Sequence, residues 1–483
     1  MTSDPLRVLF VTSECAPLSK TGGLADVSAA LPAALSALGV DARVLVPAYG
    51  ATPPGRVLAT LPAAGSFPRA TLVEAQLPSG VAVMLLACPD LFARNGGPYQ
   101  NAEGADWPDN AVRFGLLARA AALIACGALP DWTPAVVHGN DWQAGLAPVY
   151  LRYAPAATAA TVLTIHNLAF QGLFPAQAVE SLGLPAASYS VDGLEYYGQC
   201  SFLKGGIAYA DAITTVSPTY ALEIQTEAQG MGLQGLLRHR RDDLSGILNG
   251  IDTAAWDPEH DPYLARNYAP ATLAGKAHNK RAVQLRAGLP PSQQPLLAAV
   301  TRLTGQKGID WIIELAPALA ARSLQLVVLG RGEARYEREL AALAAAHPAH
   351  IAVTLDFDEA YAHQIEAGAD MFLMPSRYEP CGMNQMYSQR YGTVPIVRAT
   401  GGLADSVGDA ADGGAGFVFA EASGAALLAA IERALAAYKD REAWTRLQLN
   451  GMHRDFGWQA SAMRYIDIYR RIVDARRTVT PSA

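Results

Sequence analysis

The chain has 483 residues, of which 51% are hydrophobic and 17% charged, so it holds several packed domains and is too apolar to be disordered. Its net charge of −7 argues against nucleic acid or an anionic membrane as partner. The five cysteines (Cys15, Cys88, Cys126, Cys200, Cys381) are scattered without a CxxC pair, which excludes a disulfide framework and a zinc cluster and fits a reducing compartment.

No apolar run reads as a membrane span, and the N-terminal run contains Arg7 without a cleavage pattern after it, so a cytoplasmic location is expected. Leu6 to Thr12 predicts a first parallel strand. The loop from Ser13 to Gly23 and a helix over Leu24 to Leu38 follow, then a strand over Asp41 to Pro47. This βαβ unit lacks GxGxxG, so it does not point to a dinucleotide; Lys20 beside two glycines at a helix start suits a phosphate better. Further strands are predicted at Val81–Ala87, Ala135–His138, Thr161–Ile165 and Ala212–Ser217. Three of these strand ends are polar (His138 to Asp141, His166-Asn167, Ser217), where open α/β sheets bind ligands. The turn-rich stretch from Leu244 to Asp252 reads as the crossing into a second half.

That half repeats the cadence. Strands are predicted at Pro295–Val300, Leu324–Gly330, Ile351–Leu355, Ala369–Met374 and Val394–Arg398, and an amphipathic helix over Trp458 to Arg477 ends the pattern. The organisation expected is residues 1–245, 246–457 and a helix over 458–478 that returns to the first domain. Thr21-Gly-Gly-Leu-Ala-Asp26 recurs as Thr400-Gly-Gly-Leu-Ala-Asp405, which suggests two equivalent ligand-facing helix starts.

The central stretch is Met374 to Gly382, between a buried strand and the helical run Met383–Tyr391. A helix N-terminus there suits phosphate or sugar oxygens. Glu379 would repel a bare anion, so the pocket reads as one for a sugar attached to a phosphate. Arg302 and Lys307, either side of a Gly305 turn, can neutralise a diphosphate leaving group. Asp356-Phe357-Asp358 reads as a helix-capping acidic loop, not a metal site, and Phe357 can stack on a base. Nucleophile-elbow, Walker and HExxH patterns do not occur.

Lys20-Thr-Gly-Gly-Leu, Thr164-Ile-His-Asn167, Ser217-Pro-Thr-Tyr220, Leu248-Asn-Gly250, Arg302 to Gly308, Pro375 to Gly382 and Thr400-Gly-Gly-Leu together resemble the bacterial glycogen synthase and plant starch synthase family. The resemblance runs from residue 6 to about 470. It implies an α/β chain of GT-B fold, two Rossmann-like domains facing across a deep cleft, and retaining transfer of glucose from ADP-glucose to glycogen or another α-1,4-glucan, with no cofactor or metal. By the same resemblance, Arg302 and Lys307 clamp the diphosphate and the Lys20, Thr21, Gly22, Gly23 loop closes on it. Glu379 takes glucose hydroxyls, supported by the backbone at Cys381 and Gly382. His166 lies beside the anomeric centre. Asp26, Asp141 and Asn249 line the sugar site, with Asn167, Asn384, Thr400 and Gly401 also substrate-binding. Phe357 stacks on adenine, and Tyr99 and Trp142 meet the glucan. Two other readings stay open: a transferase for another nucleotide sugar, and a catalytically silent glucan-binding protein. A homo-oligomer is also left open.

Overall fold

The computed structural model describes residues 5–52, 54–154 and 157–479. It divides into two compact units, residues 1–249 with 458–483, and residues 250–457.

The first unit is built on a nine-stranded sheet. Its strands are β1 (Arg7–Val11), β2 (Asp41–Pro47), β3 (Val57–Leu61), β4 (Ala70–Gln76), β5 (Ala82–Ala87), β6 (Val136–Asn140) and β7 (Ala160–Ile165); β8 (Leu173–Pro175), β9 (Glu195–Tyr196) and β10 (Gln199–Ser201) form a small separate sheet; β11 (Ala212–Thr215) and β12 (Leu244–Gly246) complete the large one. The spatial order is β12-β11-β7-β6-β1-β2-β5-β4-β3. Only β4 and β3 run antiparallel to their neighbours. The strands are apolar on both faces because both are covered. Leu9, Val11 and Leu45 enter one core and Val8, Phe10 and Val44 the other, as a period of two requires.

Two expectations need correction. Leu244–Gly246 is not only a turn, since it pairs with β11 as the last parallel strand. One helix, Asn110–Ala128, is long and apolar enough to cross a membrane by length and composition. In the fold it is a core helix ending in a π-helical turn: Phe114, Leu116 and Leu117 are fully buried, and the Arg113 guanidinium donates to the Leu91 and Pro98 carbonyls and to Asn110.

The helix Gln459–Val479 covers the second core with Ala462, Tyr465, Ile466, Tyr469 and Ile472, at helical spacing. His138 explains part of its anchoring. One of the polar strand ends, it is fully buried, and its ring bonds the Tyr469 hydroxyl (2.7 Å) and Thr164 Oγ1 (2.6 Å). Its role is structural.

The second unit carries β13 (Leu296–Val300), β14 (Gln325–Leu329), β15 (Ile351–Thr354), β16 (Met371–Met374), β17 (Val394–Arg398) and β18 (Phe417–Phe419), all parallel. Their order is β15-β14-β13-β16-β17-β18. This is the 3-2-1-4-5-6 order of a doubly wound sheet, in which the crevice opens between the first and fourth strands. In the first unit the parallel strands reverse in the same way, between β1 and β6.

Burial lowers the His138 pKa to about 3, and that of His166 likewise. The unfolded chain therefore takes up protons near pH 6.5 that the folded one refuses, and stability falls as pH drops from about 6.5 towards 3. Thermal unfolding at stepped pH should show this acid slope, and His138→Gln, which stays neutral, should flatten it; an unaltered slope would contradict the assignment.

Candidate active site

In the second unit the loops after β13 and β16 are joined at the strand-order reversal. Gly308 has φ +68, and a Cβ there would lie 2.2 Å from the Pro375 carbonyl oxygen, so only glycine allows the approach. Arg377 grips Asp310 with two bonds of 2.6 and 2.7 Å, also donates to the Gly305 carbonyl, and lies over the Trp311 ring. Its side-chain bond to Arg377 holds the Asp310 carboxyl below its usual range. Gln306 donates to the Tyr378 carbonyl. Arg398 reaches from β17 to the Ser376 and Arg377 carbonyls.

Lys307 and Glu379 meet on this frame. Lys307 Nζ lies 2.6 Å from Glu379 Oε2, which also accepts from Ser376 Oγ at 2.8 Å. Glu379 is 5% exposed, so this is a buried, charge-assisted pair. Arg302 is exposed, and no carboxylate among the described residues lies within ion-pair distance of it. Asn384 donates to the Val300 carbonyl (2.6 Å) at the first residue of the helix Asn384–Arg390. Cys381 is buried, and Gly382 takes φ +69.

The Thr400-Gly401 turn closes the floor. Gly401 has φ +42, and a Cβ on it would fall 1.9 Å from the Glu379 carbonyl oxygen; one on Gly402 would fall 2.1 Å from that of Cys381. Phe357 stands 76% exposed beyond β15, and Asp358 caps the helix Glu359–Gly368 through the Tyr361 N–H.

In the first unit the reversal brings together the loop after β1 and the residue after β6. Lys20 pairs with Asp26 at 2.8 Å. The helix Gly23–Ala37 starts at Gly22 with no side-chain cap on its first amides. Asp141 sits at φ +54, a left-handed conformation that aspartate tolerates. That backbone puts its Oδ1 under the N–H groups of His166 (2.7 Å) and Asn167 (3.3 Å). Burial raises the Asp141 pKa to about 7 against those two bonds, with Glu14 adding to the rise.

The His166 tautomer follows from its neighbour. Asn140 Nδ2 donates to the Val11 carbonyl, which turns Oδ1 towards His166 Nε2 at 2.9 Å. Nε2 therefore carries the hydrogen, and desolvation keeps the ring neutral. The buried Oδ1 of Asn249 has no hydrogen-bond partner among the described residues. Tyr99 and Trp142 are half-buried: the Tyr99 hydroxyl meets Ser13 and Glu14, and Trp142 packs on Phe114, Phe174 and Phe202. Among the described residues no three His, Cys, Asp or Glu side chains are grouped to hold a metal.

Sequence reasoning overlooked Glu14 and the Arg377–Asp310 clamp, and assigned no role to Asn140 or Ser376 within the stretches it singled out. Glu14 is 3% exposed and lies directly under the Lys20 loop. An acidic residue in a glycine-bearing loop after the first strand was the available signal.

The chain has relatives among known proteins. A family described as Starch synthase catalytic domain matches residues 7–239, and Glycosyl transferases group 1 matches residues 281–447. A sucrose-phosphate synthase from Thermosynechococcus elongatus shares the fold alone, at 18% identity and TM-score 0.62. The catalytic domain of starch synthase IV from Arabidopsis thaliana, bound to ADP and acarbose, superimposes with TM-score 0.88 at 33% identity, over 97% of this chain and 100% of that one. The chain is thus of the GT-B glycosyltransferase class. The glycogen synthase of Aromatoleum aromaticum is 55% identical over 96% of each chain, and that of Nitrosospira multiformis 51% over 98% of each. The protein belongs to the glycogen synthase and starch synthase family.

Asp141→Asn keeps an acceptor for the two amides and removes a carboxyl whose charge burial opposes. The raised pKa costs stability increasingly from about pH 4 to about 7. The substitution should therefore raise the unfolding temperature more at pH 8 than at pH 4; an equal change at both would count against the buried charge.

Proposed function

We propose that this chain is a retaining glucosyltransferase that moves glucose from ADP-glucose to the non-reducing end of an α-1,4-glucan, in glycogen synthesis. The observation that carries the reading is a set of cations and the buried Glu379 carboxylate at the strand-order reversals, in a chain 55% identical to a glycogen synthase across nearly its whole length.

Arg302 and Lys307 are assigned to the diphosphate, and Lys20 joins them on the strength of the family motif. Charge grows on the leaving ADP as the glycosidic bond breaks, and preorganised cations lower that barrier most. Their number makes a metal unnecessary, and we assign none. Glu379 receives glucose hydroxyls while Ser376 and Lys307 hold it. Phe357 offers an exposed ring for the adenine. Asp26, Asp141, Asn249, Asn384 and Thr400-Gly401 line the sugar side; Tyr99 and Trp142 shape the acceptor side from half-buried positions.

In the step itself, the bond from the anomeric carbon to the phosphate oxygen breaks. A bond to the acceptor 4-hydroxyl oxygen forms on the same face, and the hydroxyl proton passes to the leaving phosphate. A double displacement would need a free carboxylate aimed at that carbon. Glu379 is already tied by its two partners. The one N–H of neutral His166 goes to Asn140, so its Nδ1 can only accept a hydrogen bond, and the ring cannot supply a positive charge. The five unpaired cysteines fit a cytoplasmic location.

The test is ADP release from ADP-glucose and from UDP-glucose, with and without glycogen. Release confined to ADP-glucose and dependent on glycogen is the expected result; release from neither donor would favour a silent glucan-binding protein. Lys307→Ala and Arg302→Ala should each lower turnover on the order of 10²–10³-fold, with circular dichroism unchanged.

A further inference from the structure

We infer that Glu14 is a positioning residue of this reaction: its buried carboxylate sets the backbone of the Lys20–Gly23 loop and ties that loop to Tyr99. The inference rests on the reading of that loop as a phosphate contact.

The loop has little else to shape it. Residues 20 to 23 are all exposed. Gly22 is extended, at φ −159, and nothing lies within 4 Å of where its Cβ would be. Neither packing nor a left-handed turn therefore dictates the conformation. Its other contacts include the Lys20–Asp26 pair, a long Ala25–Gly22 backbone bond of 3.3 Å and, just before the loop, the paired Cys15–Ser19 backbone bonds.

Glu14 supplies what is missing. Its Oε2 accepts from the Thr21 N–H (2.5 Å) and the Gly22 N–H (3.2 Å). Its Oε1 accepts from Thr21 Oγ1 (2.6 Å) and from the Tyr99 hydroxyl. No Lys or Arg among the described residues forms an ion pair with it. A carboxylate buried in this way is stabilised by its four donors, so the donors are held as firmly as the charge. Each end is anchored. The Glu14 backbone is braced by Thr12, which bonds Ser28 on the following helix. Tyr99 is set by the Asn110 side chain on its carbonyl, and the preceding Pro98 carbonyl by Arg113. Glu14 thus connects the glycine loop to the segment carrying Tyr99, with both of its oxygens already taken by these donors.

The test uses the full chain with Glu14→Ala and Glu14→Gln, beside Lys20→Ala. ADP release is followed against ADP-glucose concentration at saturating glycogen, and amide hydrogen exchange is followed over residues 20–23. Glutamine keeps one acceptor for the two amides and can turn its NH2 towards the two hydroxyls, which then accept. Glu14→Ala should raise KM for ADP-glucose about ten- to hundredfold, the scale of one or two lost charge-assisted bonds, and strip protection from Thr21 and Gly22. Glu14→Gln should return both to within about threefold of the parent. A merely structural role would lower the active fraction, and so kcat, with KM unchanged. Unchanged KM and protection in Glu14→Ala, with Lys20→Ala impaired, would overturn the proposal alone. Unimpaired Lys20→Ala would overturn the loop reading and the proposal together.

Discussion

The approach of the loop after β13 to the loop after β16 is the constraint on which the second unit's part of the candidate site depends. Strand-order reversal leaves a crevice between these strands, and side chains on separate loops can cooperate there only if the loops are fixed to each other. Gly308 lets the backbones touch at Pro375, where any side chain would collide with the carbonyl. Arg377 then locks the pair electrostatically on Asp310 and mechanically on Trp311. Lys307 and Glu379, 72 residues apart in the chain, come within 2.6 Å as a consequence. Few of these residues need touch a substrate. They determine where the ones that do are held.

The first unit solves the same problem with different material. Its reversal lies between β1 and β6, and its loop is held from below by carboxylates rather than by a packed glycine. Asp141 gathers the backbone of residues 166–167, and Glu14 that of residues 21–22. Both are buried acids without a cation among the described residues, held by backbone or hydroxyl donors. Such groups are costly to keep in a core, and their presence beside the strand ends is the mark of a site rather than of packing.

Much of this was legible in the sequence, for a physical reason. Parallel strands covered on both faces appear as short apolar runs, so β1, β2, β5, β7, β13, β14 and β17 stood out with the helices between them. The hairpin of β3 and β4 did not. Its first strand is only partly buried, and it interrupts the strand–helix rhythm. Lys20, Arg302, Lys307 and Glu379 were visible as charges beside glycine turns. Their pairing was not, because nothing local links a lysine at 307 to a glutamate at 379. The repeated Thr-Gly-Gly-Leu-Ala-Asp is the sharper lesson. Both copies open helices, yet Gly22 is extended in open space while Gly401 has φ +42 pressed against the Glu379 carbonyl. Six identical residues take different backbones because the tertiary neighbours differ.

The chemistry follows from what Glu379 is bonded to. A carboxylate held by Ser376 and Lys307 is suited to receiving hydroxyls, and in the proposed mechanism the work of expelling ADP falls to the cations. Intact-protein mass spectrometry of the chain quenched during turnover of ADP-glucose tests this most directly. Same-face transfer leaves the protein unmodified while glucan lengthens with α-linked glucose. A glucosyl adduct that maps to Glu379 and disappears when glycogen is added would contradict it.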